Sequence, residues 1–368
     1  MNSKNPILIC GGGLAGSFLA ANFCLMGEKV ILVDPGTPGN ASSIASGLFN
    51  IVTGKYSMLT WRATELLKSL FDFFENPAFA QLGKHLHHAA LYRPFPDAGQ
   101  LNDFVLKADR GELAAHTRIS IHPHKIALFD DPLGGYYVEP SGWLDTVPFL
   151  TELHLLLTEK FGLEIIPSKA NASSLLPGKK TMQVGDKQMD FESVFFAEGI
   201  SVLDNPFFNW FPIVPLKGQV LELEGEIPEW QNDLIYSAGT FLIPKGNGVY
   251  TCGSTYERDF THPHPDEAGK LEILSRLPKR LREKLKVTGH RAGIRPSTRD
   301  RFPVAGPHPQ RPDVWIINGL GAKGVLQAPW LAEQIIQKYK GKINTIPRDA
   351  SLYRFVPRFF RKLVEYDP

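Results

Sequence analysis

Three glycines near the N-terminus constrain the fold more than any other feature of the sequence. Gly11, Gly13 and Gly16 have the G-x-G-x-x-G spacing and follow the wholly apolar run 7–10. The first glycine permits a tight turn after a strand, the second lets the backbone approach a pyrophosphate, and the third lets a helix pack closely on the strand. Because plain turns also contain glycine, the flanking segments must decide what the spacing means.

The flanking segments complete one βαβ unit in about thirty residues. Residues 15–26 are predicted to form a helix that ends at Gly27, and residues 29–34 form a second apolar strand that ends in an acid. That acid, Asp34, lies eighteen residues after Gly16. A carboxylate there can accept both ribose hydroxyls and disfavours a 2′-phosphate. The unit therefore predicts dinucleotide binding and argues against NADP.

Segments of strand type and helix type alternate along the rest of the chain, which favours a mixed sheet covered by helices. A strand, a glycine loop and a helix occur near both ends, so we expect one nucleotide-binding domain assembled from separated segments, with a second domain inserted. Further helices are predicted at 61–74, 143–161, 270–286 and 328–340, and further strands at 193–197, 219–223, 241–243, 248–252 and 314–317.

Composition is that of an ordinary globular chain. Of its 368 residues, 43% are hydrophobic and 21% charged, and the formal net charge of +2 is too mild to indicate nucleic acid or a membrane by itself. Cys10, Cys24 and Cys252 give neither a disulfide framework nor a metal-ligand pattern, so we expect reduced core residues and no metal. We predict an unprocessed cytoplasmic protein, since no apolar stretch is long enough to cross a bilayer.

Later segments carry a resemblance to a known family. The chain resembles the D-amino-acid oxidase superfamily of FAD-dependent oxidoreductases, most closely the FAD-dependent C-terminal domain of the bifunctional tRNA methylaminomethyl-thiouridine modification enzyme, and next glycine oxidase. The resemblance covers nearly the whole chain in order. The segments that carry it are 295–306 (RPSTRDRFPVAG), 319–329 (GLGAKGVLQAP), 215–220 (PLKGQV), 253–259 (GSTYERD) and 353–358 (YRFVPR).

The resemblance implies an α/β fold in which a Rossmann-like FAD-binding domain is interleaved with an antiparallel-sheet substrate domain. We place the FAD domain at 1–78, 137–211 and 288–368, and the substrate domain at 79–136 and 212–287. Relatives with covalent flavin carry a cysteine near the Arg295 motif, and residues 292–298 contain none, so FAD is expected to be non-covalent.

The resemblance also assigns candidate site residues. Arg295 is expected to pair with a substrate carboxylate, for which the planar guanidinium fork is suited. Lys323 is expected to stabilise negative charge on the reduced flavin. The alternatives are a structural ion pair for Arg295, an exposed loop lysine for Lys323 and a plain surface loop for 40–47. The expected cofactor-binding residues are Gly11, Gly13, Leu14, Ala15, Gly16, Asp34, Ser42, Ser43, Gly47, Gly321, Gly324, Val325 and Leu326.

The family reaction implied is oxidation of a C–N bond of an amine or amino acid by hydride transfer to flavin, with no protein base strictly required. Phe241 stands where glycine oxidase-like relatives have a tyrosine, so free glycine is the less expected substrate. His290 and His308 are expected to be structural or exposed.

Three alternatives remain open: an oxidoreductase acting on a tRNA wobble-uridine side chain, a catalytically silent flavin-binding protein, and an NAD dehydrogenase, against which the 319–324 loop argues. For tRNA, the basic segments 270–286 and 354–362 would contact phosphates; a solvated charged face is the plainer interpretation of 270–286. Because the glycine loop starts at residue 11, we expect no methyltransferase domain before it, so tRNA would need a separate partner or an already modified substrate.

Overall fold

A computed structural model describes residues 5–37, 39–54, 56–111, 113, 115–230 and 233–360. Within these ranges, two large sheets and the helices between their strands build the fold. The α-helices are Leu14–Leu25, Ala41–Ile44, Ala63–Glu75, Ala98–Asp109, Thr146–Phe161, Glu267–Ser275, Lys279–Arg282 and Gly324–Tyr339. Short 3₁₀ segments lie at Ala80–His85, Ala127–Phe129, Ala172–Ser174, Gly199–Asp204, Arg348–Ala350 and Leu352–Arg354, and a π-helical turn at Val356–Phe360.

The first large sheet has six strands among the described residues. Neighbouring strands are parallel except for the last pair, which is antiparallel. The strand order is Glu164–Ile166, Val30–Val33, Ile7–Cys10, Ser193–Phe196, Arg311–Asn318 and Val304–His308. The strand after the first helix therefore lies on one side of Ile7–Cys10 and the later chain on the other, which makes the carboxyl end of Ile7–Cys10 a topological switch point.

Alternate residues of these strands enter two different cores, because successive side chains of a strand point to opposite faces. Ile7 and Ile9 pack with Phe18 of the first helix and Ile335 of the last. Leu8 and Cys10 pack on the other face, with Met182 of a small sheet. Both faces are covered, which explains why the strands are apolar throughout.

The second large sheet, of eight strands in the part of the chain described, is antiparallel except for the parallel pair Leu234–Ser237 and Ala90–Pro94, and it carries its own core. Its strand order is Lys286–Thr298, Ile213–Glu224, Val249–Gly253, Phe241–Gly246, Leu234–Ser237, Ala90–Pro94, Gly135–Val138 and Thr117–Ser120. Leu221 and Leu242 pack there against Ile273 and Leu281 of the helical segments 267–282. Smaller sheets are formed by Leu48–Phe49, Gly142–Leu144 and Leu86–His88, by Ala170–Asn171, Thr181–Val184 and Lys187–Asp190, and by Val52–Thr53 and Met58–Leu59.

The chain alternates between the two large sheets, so the predicted α/β fold with interleaved parallel and antiparallel parts is confirmed. The strand Lys286–Thr298 belongs to the antiparallel sheet although most of it lies after the predicted boundary at 288. The division into domains at the predicted residues therefore remains a proposal.

Most predicted elements are present with shifted ends, but two helices were wrong in extent. The segment 143–161 begins as a strand, because Trp143 pairs with Leu48 and His87 in a small sheet, and the helix starts only at Thr146. The segment 270–286 is broken because Pro278, which has no N–H, stands between the helices Glu267–Ser275 and Lys279–Arg282.

The cysteines and the hydropathy of the helices were also subjects of prediction. The three cysteines are buried and free, as predicted. Of the helices in the described ranges, none combines the length and the apolar character needed to cross a membrane.

Candidate active site

A cavity of about 690 Å³ lies between the two large sheets. One wall comes from the carboxyl ends of the parallel strands, including Cys10, Asp34 and Glu198, and the other from the antiparallel sheet, including Gly218 and Arg295. Ligands of open α/β sheets bind outside the carboxyl ends of the strands at the switch point, and this volume suits a large organic ligand. Eleven of the thirteen predicted cofactor-binding residues line this cavity, as do Arg295 and Lys323: Gly11, Gly13, Leu14, Ala15, Asp34, Ser42, Gly47, Gly321, Gly324, Val325 and Leu326.

The glycine loop has the close contacts that its spacing predicts. Gly11 has φ +113°, and a β-carbon there would stand 2.3 Å from the Ala197 carbonyl oxygen. A β-carbon on Gly16 would stand 1.9 Å from the Gly11 carbonyl oxygen. Gly16 is not part of the cavity wall as described; it lets the first helix pack on the end of the strand, which brings the helix N-terminus to the cavity.

Asp34 is held at the carboxyl end of its strand by backbone donors. Its Oδ2 accepts the N–H of Gly12, and its Oδ1 accepts the N–H of Gly36 at 2.6 Å. An ionised carboxylate has about four acceptor positions. Asp34 can therefore hold the glycine loop in place and still accept hydrogen bonds from the hydroxyls of a ribose.

The segment 40–47 closes the cavity over the first helix. Leu14 donates its N–H to Ser42 Oγ at 3.1 Å, so this hydroxyl lies at the helix N-terminus. Ser43 differs from expectation: it does not line the cavity, because its hydroxyl donates to the Asn40 carbonyl at 2.9 Å within the helical turn Ala41–Ile44.

At another part of the wall, Lys323 stands at the N-terminus of the helix Gly324–Tyr339. Its Nζ donates to Thr60 Oγ1 at 3.4 Å, and burial lowers the pKa of its ammonium. The positive end of the helix dipole and the lysine charge act at the same place. The alternative of an exposed loop lysine is not favoured, since the side chain is half-buried in the cavity wall.

The Arg295 guanidinium is held by neutral partners. Nη1 donates to the Thr255 carbonyl at 3.1 Å, Nη2 donates to Ser254 Oγ at 2.8 Å, and the ring of Tyr256 lies 4.7 Å away. Among the described residues it forms no ion pair with a carboxylate, so the alternative of a structural ion pair is not supported. Arg295 is a positive charge at the cavity wall, and its remaining N–H donors have no partner within the described ranges.

Two further lining residues were missed by sequence reasoning. Asn50 has a buried Oδ1 that finds no hydrogen-bond partner among the residues described. Glu198 follows the strand Ser193–Phe196, and burial raises the pKa of its carboxyl to about 7, although the amide of Asn205 donates to it at 2.8 Å. Glu198 could have been found from its place at the carboxyl end of a predicted strand. No sequence signal marked Asn50.

Comparison with known proteins identifies the family to which the chain belongs. Residues 6–338 match the model of a family described as FAD dependent oxidoreductase. The tRNA 5-methylaminomethyl-2-thiouridine biosynthesis bifunctional protein MnmC of Legionella pneumophila (strain Corby) is 22% identical over 99% of this chain, which spans 59% of that protein's length. Glycine oxidase of Pseudomonas aeruginosa is 23% identical over 88% of this chain and 91% of its own.

A solved structure has the same fold. Glycine oxidase from Bacillus cereus superposes with a TM-score of 0.77, covering 92% of this chain and 96% of that chain at 19% identity. Agreement at this level of identity shows a shared architecture, while the chemistry must be argued from the site itself.

Proposed function

Because the chain belongs to the family of FAD-dependent oxidoreductases, we propose that it oxidises the C–N bond of a small amine that also bears a carboxylate. The observation that carries the proposal is the Arg295 guanidinium, which lies in the cavity wall and has no carboxylate partner in the part of the chain that the structure describes. A desolvated cation attracts an anion far more strongly than an exposed one does. A substrate carboxylate would supply that anion with two parallel hydrogen bonds.

The residues present fit FAD as the cofactor. The close-packed glycines leave no room for side chains where a pyrophosphate would approach, and Asp34 offers acceptors for the ribose. The orphaned Asn50 Oδ1 gives the cavity an acceptor that a bound ligand can satisfy. Cys10 also lines the cavity, but burial raises the pKa of its thiol well above the ordinary value, which disfavours a covalent link through its thiolate.

The cofactor and the residues of the cavity wall would contribute differently to the reaction. Bound FAD supplies the acceptor for the hydride leaving the amine-bearing carbon, and the imine left on the substrate hydrolyses in water. Arg295 would orient the substrate through its carboxylate, with the ring of Tyr256 against the guanidinium. Lys323 and the N-terminus of the helix Gly324–Tyr339 would stabilise negative charge as it develops. Phe241 lines the cavity with an apolar ring, which favours a substrate larger than glycine.

No histidine of the sequence analysis is needed for proton transfer. His308 is buried among Phe207, Phe208 and Phe360, and burial lowers the pKa of its imidazole to about 4. Neither His308 nor His290 is part of the cavity wall within the described ranges. An amine that binds in its neutral form can lose the hydride without a protein base.

The test is the variant Arg295→Ala, with anaerobic flavin bleaching by a panel of amines and amino acids as the measurement. We expect the variant to retain flavin and to lose on the order of 100-fold in its affinity for carboxylate-bearing substrates. Arg93→Ala is a matched control, because Arg93 also donates to a backbone carbonyl and to a hydroxyl, near a tyrosine ring, but outside the cavity wall.

Four outcomes would count against the proposal. If Arg295→Ala loses flavin, or if it discriminates between substrates as the parent chain does, the role of Arg295 is wrong. A protein that is yellow and reduced by light, but by no amine, would favour a catalytically silent flavoprotein. A protein that stays colourless after addition of FAD would contradict the whole cofactor assignment.

A tRNA substrate is the second candidate, because of the similarity to MnmC. Some of the basic side chains expected to contact phosphates have acidic neighbours: Lys270 pairs with Glu267 at 2.7 Å, and Arg276 pairs with Glu272. In the tail, Arg354 pairs with Asp300 at 2.9 Å, while Arg361 and Lys362 lie outside the described residues. These pairs favour a solvated charged face. Flavin bleaching by modified tRNA alone, weakened steeply by salt, would reverse the order of the two candidates.

A further inference from the structure

A serine of the first helix, Leu14–Leu25, joins the glycine loop to a histidine that is remote in the sequence. Ser17 is fully buried, and its Oγ lies 3.0 Å from the carbonyl oxygen of Gly12 and 2.7 Å from Nε2 of His154. His154 follows Ser17 by 137 residues and belongs to the helix Thr146–Phe161. Neither side chain is part of the cavity wall as described, so direct contact with a ligand does not explain the arrangement.

The chemistry of these groups determines the direction of both hydrogen bonds. A carbonyl oxygen can only accept, so the single hydrogen of the Ser17 hydroxyl goes to Gly12. The Ser17 oxygen then accepts from His154, whose ring must carry a proton on Nε2. Burial lowers the pKa of the His154 imidazole, against the opposing charge of Asp34, so the neutral ring with one N–H predominates at pH 7 and above. That one N–H is at Nε2.

The backbone of Gly12 is held at both of its polar groups. Its N–H donates to Asp34 Oδ2, and its carbonyl accepts from Ser17 Oγ. This carbonyl shares a planar trans peptide unit with the N–H of Gly13, and the two groups point in opposite directions. Because the carbonyl is turned inward to Ser17, the N–H of Gly13 is turned away from the helix interior.

The direction of the Gly13 N–H matters for binding of an anion. Gly13 lines the cavity at the N-terminus of the first helix, and its N–H has no acceptor within the described ranges. Unpaired N–H groups at a helix N-terminus bind phosphate groups, and a hydrogen bond weakens steeply as it bends. A rotation of the Gly12–Gly13 peptide would therefore weaken phosphate binding without moving any side chain of the cavity wall.

We propose that His154 is a positioning residue for the cofactor: through Ser17 it holds the Gly12–Gly13 peptide in the orientation that directs the Gly13 N–H at the pyrophosphate of FAD. A serine inside a helix can instead donate to the carbonyl four residues earlier, which here is that of Gly13. The N–H of His154 holds the Ser17 oxygen in the rotamer that reaches Gly12. The inference concerns the ADP half of the cofactor, so it goes beyond the proposed substrate and is independent of Arg295.

The experiment measures the affinity of the apoprotein for FAD, from the change in flavin fluorescence, and for ADP, by competition with FAD. We expect His154→Leu and Ser17→Ala each to weaken binding of both ligands about fivefold, as the loss of one hydrogen bond does. ADP contains the pyrophosphate but no flavin. Equal losses for the two ligands would therefore locate the effect at the glycine loop, and a loss for FAD alone would overturn the inference.

A double-mutant cycle separates positioning from a general loss of structure. If His154 acts through Ser17, the double variant His154→Leu with Ser17→Ala should bind FAD within about twofold of Ser17→Ala alone. Independent structural damage predicts the product of the two losses, about 25-fold. His154→Gln keeps an N–H donor at the same number of bonds from Cα, so it should bind FAD within about twofold of the parent chain.

His85→Leu is the matched control. His85 Nε2 also bonds a side chain of the helix Thr146–Phe161, but its partner is Glu152, at 2.5 Å, and not a residue of the first helix. This variant should leave both affinities unchanged. Parent-like binding by His154→Leu, additive losses in the double variant, or equal losses in His154→Gln and His154→Leu would each overturn the inference.

If His154→Leu does not fold, the tautomer of His154 decides. Nitrogen-15 NMR of the histidine-labelled parent, with His154→Gln to assign the signal, should show the proton on Nε2, and Ser17→Ala should still weaken binding of FAD and ADP. A proton on Nδ1, or parent-like binding by Ser17→Ala, overturns the inference. A parent chain that binds neither FAD nor ADP overturns it together with the cofactor.

Discussion

Gly218 lies against the guanidinium of Arg295: a β-carbon on residue 218 would stand 2.1 Å from Nη2 and 2.3 Å from Nη1. The two residues belong to neighbouring antiparallel strands, in which Leu216 is the register partner of Arg295. The absence of a side chain at residue 218 therefore creates the space that the guanidinium occupies. Any side chain there would displace Arg295 from Thr255 and Ser254.

Gly218→Ala should accordingly weaken binding of benzoate by about tenfold or more while the flavin stays bound, because the cation moves but the glycine loop does not. Flavin absorbance titration measures both properties. Gly83→Ala is the control, since a β-carbon there meets nothing within 4 Å. Equal losses in the two variants would show that the contact between Gly218 and Arg295 has no role in binding.

Lys323→Met should lower the midpoint potential of the bound flavin. Loss of a partly buried cation at a helix N-terminus removes about 1–2 kcal/mol of stabilisation from negative charge, which is roughly 20–40 mV for a two-electron couple. The potential is measured by dye-coupled photoreduction. Lys340→Met, at the exposed far end of the same helix, should leave it unchanged. A rise in potential, or an equal shift in both variants, would contradict the role of Lys323.

Asn50→Leu should stabilise the apoprotein and weaken the binding of ligands. The unpaired Oδ1 is buried, so its removal should raise the free energy of unfolding of the apoprotein by about 1–2 kcal/mol. Binding of FAD or of substrate should weaken, because the acceptor is lost. Gln327→Leu is a matched control: its Oε1 is also buried and unpaired, but the residue is not part of the cavity wall as described. An Asn50→Leu variant that binds both ligands normally would remove Asn50 from the site.

Glu198→Gln should change how stability depends on pH. Burial raises the pKa of the Glu198 carboxyl from its ordinary value of 4.5 to about 7 in the folded chain, so folding favours the protonated form. The loss in the free energy of unfolding that comes from ionising this carboxyl is absent below pH 4.5, grows as the pH rises towards 7, and is constant above pH 7. At pH 8 it amounts to roughly 3 kcal/mol, at 1.36 kcal/mol for each pKa unit.

Urea unfolding of the apoprotein between pH 5 and 8 tests this. The Glu198→Gln variant should be more stable than the parent at pH 8 and should lose less stability as the pH rises. Glu192→Gln, a half-exposed acid paired with Lys180, should retain the parent's pH profile. A Glu198→Gln profile parallel to that of the parent would show that Glu198 does not titrate in this range.

Much of the fold could be predicted from residues that lie close together in the sequence. The G-x-G-x-x-G spacing, the apolar strand before it and Asp34 after it lie within about thirty residues, and a βαβ unit is specified at that range. The later motifs at 295–306 and 319–329 carried the resemblance that made Arg295 and Lys323 candidate site residues, and in the structure both line one cavity. Two predicted helices were wrong in extent. Trp143 pairs with Leu48 in a small sheet instead of starting a helix, and Pro278 interrupts the other helix.

The sequence by itself thus determined the class of fold and the glycine loop, and it singled out Asp34, Arg295 and Lys323 as candidate site residues. Only the tertiary structure decided what those charges contact. Gly218, Ser254 and Thr255 contact Arg295 because antiparallel pairing joins strands from distant parts of the chain, and Asn50 and Glu198 face the cavity because two sheets meet there. The environment of a charge depends on neighbours that are remote in sequence, and no local spacing records them.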